Sequence, residues 1–141
     1  MSVRQISVFL ENKPGTLAQL TDALAAAGVN MRALSLAETN DFGIARIIAD
    51  DTVAAMTVLR DAGMIATLTP VLAYAIPNEA GGLNKLLAVF NDAGVNIVYM
   101  YSCLSARDNS EAVMIFRTAD PEASEAALAA RGLLSISQEE L

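Results

Sequence analysis

The feature that most constrains this chain is an internal repeat. Shifting the sequence by 66 positions lays Asn12 on Asn78, Gly15 on Gly81, Leu17 on Leu83, Leu20 on Leu86, and Ala27-Gly28-Val29-Asn30 on Ala93-Gly94-Val95-Asn96, so that eight of the nineteen positions from 12 to 30 are identical. The matches combine a turn glycine, apolar residues at helical spacing and a glycine that ends a helix, so what is duplicated is a structural unit. The 141 residues are therefore expected to form two small domains, 1–69 and 70–141, with almost no linker.

Within each copy the periodicity gives the same order of elements. In the first, Ile6, Val8 and Leu10 alternate with Gln5, Ser7 and Phe9, the pattern of a strand with one face more deeply buried. Pro14 and Gly15 make the turn into a helix whose Leu17, Leu20, Leu24 and Ala27 share a stripe, and Gly28 stops it. Met31 to Glu38 and Ile44 to Ala49 read as a hairpin about Thr39-Asn40-Asp41-Phe42-Gly43. Asp50 or Asp51 then caps a second helix, and Ile65 to Thr69 closes the unit. The second copy repeats this with strands at Val71 to Ile76, Ile97 to Leu104 and Ala112 to Thr118, a hairpin around Ala106 to Ser110, a helix capped by Asp120-Pro121, and a closing strand from Leu133 to Ser137. The order strand, helix, strand, strand, helix, strand, twice over, predicts an α+β protein of two ferredoxin-like βαββαβ units, each an antiparallel sheet with both helices on one face. An open sheet face and free edges favour pairing of the copies, edge to edge or face to face, and a homodimer of the whole chain.

Composition narrows the chemistry. The net charge of -7, with no basic stripe, opposes nucleic acid and anionic membrane surfaces as partners. Although 54% of residues are hydrophobic, no apolar run approaches the length needed to cross a bilayer, and no secretory signal is visible at the start. A cytoplasmic location is expected. The absence of histidine removes the commonest general base and the commonest metal ligand together. With no nucleophile signature and no metal-ligand cluster, neither catalysis, a metal nor a cofactor is expected. The single cysteine, Cys103, sits in strand-like sequence and reads as packing.

What the repeat does offer is a helix start, twice. The amides of Gly15, Thr16 and Leu17, and of Gly81, Gly82 and Leu83, have no acceptor within their helices, and the helix dipole there favours an anion. The glycines let a ligand approach the backbone. Asn12 and Asn78 stand just before each turn with side chains that both donate and accept. Asn30 and Asn96 stand at the far helix end, too distant to share a ligand with the turn of their own unit. Two roles remain open for these asparagines: holding a ligand, or ordering turns through their own backbone.

The run Glu11-Asn12-Lys13-Pro14-Gly15-Thr16-Leu17, the helix ending Ala27-Gly28-Val29-Asn30, the Phe42-Gly43-Ile44-Ala45-Arg46 strand and the Asp-capped helix resemble the ACT domain family of amino-acid-binding regulatory modules. Asn78, Gly81, Leu83 and Ala93-Gly94-Val95-Asn96 carry the resemblance through the second half, so it covers nearly the whole chain. It implies a free-standing tandem that senses a free amino acid at the interface between paired units and acts on a metabolic enzyme. In serine-sensing members the ligand is held by the asparagine before the Pro-Gly turn and by the asparagine ending Gly-Val-Asn. These match Asn12 and Asn30, and Asn78 and Asn96, with Pro14, Gly15, Thr16 and Leu17 or Gly81, Gly82 and Leu83 at the helix start. The histidine such members place two residues before the turn asparagine falls on Leu10 and Ile76 here, so the amino acid is left unnamed. The alternative on the same fold is an interaction subunit that binds no ligand and holds a partner enzyme on its open sheet face.

Overall fold

A computed structural model of the chain describes residues 2–104 and 109–141. The chain divides into two compact units, Arg4–Thr69 and Pro70–Leu141, the second together with Met1–Val3. Most of the hairpin expected around Ala106 to Ser110 lies outside the described residues.

The Arg4–Thr69 unit is built from β1 (Val3–Glu11), α1 (Thr16–Ala26), β2 (Met31–Glu38), β3 (Phe42–Ala49), α2 (Thr52–Asp61) and the start of β4 (Ile65–Pro77). Its strands lie in the order β2-β3-β1-β4. β3 pairs antiparallel with both β1 and β2, which sets Leu10 and Glu38 on either side of Gly43. Ile6, Val8 and Leu10 of β1, with Ala45 and Ile47 of β3, turn inward to Leu20 and Leu24 of α1 and to Ala55 and Leu59 of α2. Both helices thus cover one face, and each fully buried Leu or Ile contributes about 1.5–3 kcal/mol. The alternating residues are not uniformly exposed. Gln5 is buried, donating to the Ser7 hydroxyl at 3.0 Å, which in turn lies 3.0 Å from the Thr69 hydroxyl. Phe9, on the same face, is half exposed.

The second unit contains the rest of β4, then α3 (Gly82–Asp92), β5 (Tyr99–Ser102), β6 (Glu111–Arg117), α4 (Pro121–Ala129) and a 3-10 turn at Gln138–Glu140. β6 pairs antiparallel with β4 and β5. Its core is aromatic: Tyr74 meets Phe90 edge-on with ring centres 5.7 Å apart, and Phe90 lies 4.7 Å from Phe116. Leu72, Leu86 and Leu128 complete it.

Two strands differ from expectation. β5 is shorter than Ile97 to Leu104, although Val98 and Cys103 still donate to the carbonyls of Arg117 and Val113 beyond its ends. It is the outermost strand, laddered by β6 alone, and its flanking Val98 and Leu104 are exposed. The closing strand at Leu133 to Ser137 is an extended segment outside the ladder, joined to β4 by the Ile136 amide on the Ala73 carbonyl at 2.8 Å. Local bonds compete there. The Ser135 hydroxyl donates to Glu125 at 2.6 Å, and Ser137 forms a capping box with Glu140. Among the described residues, no helix is long and apolar enough to cross a membrane.

Candidate functional site

The start of α1 is made differently from the starts of α2 and α4. Asp51 accepts from the Ala54 amide at 3.0 Å and Asp120 from the Ala123 amide at 3.1 Å, so each of those helices carries its own anionic cap. The first of these settles the choice between Asp50 and Asp51. At α1 the N-cap is Gly15 with φ 90°, a left-handed conformation, and no side chain bonds the exposed amides. Thr16 points the other way, its hydroxyl donating to the carbonyls of Glu11 at 2.8 Å and Lys13 at 3.1 Å, which fastens the turn. Among the described residues the amides of Gly15, Thr16 and Leu17 therefore have no acceptor, and the positive end of the helix dipole is open.

A cavity of about 270 Å³ opens at this point, wholly within the Arg4–Thr69 unit. The turn residues Asn12, Gly15, Thr16 and Leu17 line one side of it. Leu10, Leu36, Glu38 and Gly43, from the ends of β1, β2 and β3, line the other, with Glu11 and Lys13 at the rim paired to each other at 2.9 Å. Asn12 orders the turn and faces the cavity as well. Its backbone amide donates to Asp41 at 3.0 Å and its side-chain nitrogen to the Thr39 and Asn40 carbonyls at 3.2 and 3.4 Å, so the β2–β3 hairpin is tied to the helix start. Those bonds use the side-chain nitrogen and leave the side-chain oxygen as an acceptor.

Pro14 shapes the turn without lining the cavity. Asn30 stands at the opposite end of α1, roughly 16 Å away for eleven residues of helix. Its backbone exchanges bonds with Asp50, the carbonyl accepting from the Asp50 amide at 3.0 Å and the amide donating to the Asp50 carboxylate at 3.0 Å. It is exposed and belongs to the α2 entry, not to this cavity.

The second copy is not equivalent. Asn78 repeats the backbone contact of Asn12, its amide donating to the Ser110 carbonyl at 2.9 Å. Gly81 repeats the left-handed cap with φ 83°. Gly82, expected to open the backbone to a ligand, instead abuts the Pro77 carbonyl where a Cβ would stand, and its amide donates to the Glu79 carbonyl at 3.1 Å. That glycine answers a close approach inside the chain, and one of the amides expected to be free is taken. Leu83 packs against the second core, and Asn96 is exposed with Ala119 where the first copy has Asp50.

Leu36, Glu38 and Gly43 were not among the residues expected from the repeat. Their signal is the hairpin register, which returns the end of β2 and the start of β3 beside the turn of α1. Among the described residues, no group of three or more His, Cys, Asp or Glu could hold a metal ion. Cys103 is half-buried, and burial raises its thiol to about 11, so it stays protonated and unreactive near neutrality.

Comparison with known families matches a model described as an ACT domain pair to residues 1–141. Among solved structures, protein BT0572 from Bacteroides thetaiotaomicron superposes with a TM-score of 0.90 at 34% identity, over 99% of this chain and 95% of that one. The ligand-free regulatory subunit of aspartate kinase from Thermus thermophilus gives a TM-score of 0.63 at 19% identity, over 90% of each chain. Its Thermus flavus counterpart gives 0.56 at 20%, again over 90% of each. These two share the fold with this chain. Comparison with curated proteins gives no match.

Proposed function

This chain belongs to the family of ACT domain pairs, and from that premise we propose that it is a regulatory protein that binds a free amino acid. The observation that carries the reading is the uncapped start of α1 opening into a cavity beside Asn12. A ligand carboxylate would sit on the amides of Gly15, Thr16 and Leu17, and its ammonium would meet the Asn12 side-chain oxygen. In this reading residues 1–69 and 70–141 are the two ACT domains, and Asn30, or Asn78 with Gly81, Leu83 and Asn96, contributes only where another unit comes alongside. The protein acts in the cytoplasm as a homodimer on a partner enzyme of metabolism. Ligand that favours one arrangement of units shifts the population, and the partner reads the shift.

A thermal-shift screen of the purified chain against the twenty amino acids, with calorimetry on any hit, tests this. Ligand at a hundred times its dissociation constant adds about 2.7 kcal/mol of stability. A flat response to all twenty would sink the sensor reading. One observation then favours the interaction subunit. Phe9 and Phe42 are 49% and 55% exposed and, with Ala37 and Ile44, line an open apolar depression of about 480 Å³. That version predicts purification from its own cytoplasm as a stoichiometric heteromer.

A further inference from the structure

We infer that the amino-acid site lies in the first unit alone, and that Glu38 and Gly43 select for it an α-amino acid with an aliphatic side chain. The inference rests on the sensor reading above and deepens it. Gly43 lies between Leu10 and Glu38 in the sheet, and the absence of a side chain there leaves the space that Leu10, Leu17 and Leu36 surround. Those three leucines offer an apolar wall to an aliphatic side chain. Of the charged groups at the cavity, Glu11 and Lys13 neutralise each other, while Glu38 has no ion pair among the described residues. The cavity thus pairs an unopposed carboxylate with a helix start that attracts an anion, the two complements of a zwitterion.

The second copy lacks both features. Ile76 opposite Ala112 repeats Leu10 opposite Gly43, so a methyl group stands where the cavity needs none. Leu104 occupies the position of Glu38, removing the carboxylate. Gly82 is also closed by the Pro77 carbonyl, as described above.

Calorimetric titration of the full chain with each of the twenty L-amino acids tests the inference, and the hit is repeated as its 2-hydroxy-acid analogue. The expected result is one aliphatic amino acid per chain. Glu38→Gln should weaken it about tenfold or more, as loss of a charge-assisted bond does, while the 2-hydroxy acid binds weakly to both proteins. Gly43→Ala should abolish binding without unfolding, because an added Cβ would meet Leu36 and the Ala37 carbonyl at 3.4 Å, an ordinary contact. Ala112→Gly should change nothing. Two ligands per chain, unchanged affinity in Glu38→Gln, or a hit confined to charged amino acids overturns the inference and leaves the sensor intact. No binding by any of the twenty removes the sensor reading, and this inference with it.

Discussion

At Asn12 the side-chain nitrogen is committed to the Thr39 and Asn40 carbonyls, so truncation removes hairpin bonds together with the proposed ligand contact. Asn12→Ala is expected to lower stability by about 1 kcal/mol, the net worth of exposed hydrogen bonds, and to weaken amino-acid binding in a chain that still folds. Urea unfolding and calorimetry on the same preparation separate the two effects, and unchanged affinity would remove Asn12 from the site. Tyr74 offers the opposite case. Among the described residues its buried hydroxyl has no hydrogen-bond partner, and burial, helped by the charge of Glu125, raises its pKa. Below the ordinary tyrosine value near 10 both folded and unfolded chains keep the proton; above it only the folded chain must, so stability falls as pH rises. Tyr74→Phe should therefore gain about 1 kcal/mol at neutral pH and lose stability less steeply than wild type between pH 9 and 11 in urea titrations.

At the scale of the element, three kinds of helix start respond differently to substitution. Asp51→Ala and Asp120→Ala each remove a carboxylate that accepts a helix amide, and each should cost about 1 kcal/mol in thermal or urea unfolding. α1 has no such cap to lose, and its first amides are the ones the proposed ligand would use. Gly15→Ala is costly for a different reason. Nothing lies within 4 Å of the missing Cβ, but φ is 90°, so the substitution strains the backbone by about 1–2 kcal/mol. In α3 it is space that decides: Gly82→Ala drives a methyl group into the Pro77 carbonyl and should cost about 1–3 kcal/mol, with no effect on amino-acid affinity.

For the whole molecule the proposed homodimer has its own test. Phe9 and Phe42 expose large apolar side chains on the first unit, and β2 is the outer strand there, so a second copy has both an apolar surface and a free edge to use. Light scattering on the eluting protein should give twice the chain mass, and Phe42→Asp should shift it toward the single chain. A wild type that elutes as one chain would overturn the dimer and leave the cavity of the first unit as it stands.

Much of this molecule was legible in the sequence because its signals are local. Leucines at helical spacing, a glycine at positive φ at the start of each copy's first helix and an aspartate before each second helix are decided by neighbours a few positions away, and so α1, α2, β2 and the turn at Asn12 fall where the local pattern puts them. The family resemblance rests on those same local signatures. The proposed site was legible only on its helix side. That Gly43 stands between Leu10 and Glu38, and that Leu36 completes the wall, follows from the pairing of β3 with two strands distant in sequence. Nor does the repeat show that Gly82, which stands where the first copy has Thr16, is closed by the Pro77 carbonyl. Periodicity fixes which face of an element is apolar. Which residues meet across the gap between elements depends on strand register and close packing, and these arise only when the chain has folded.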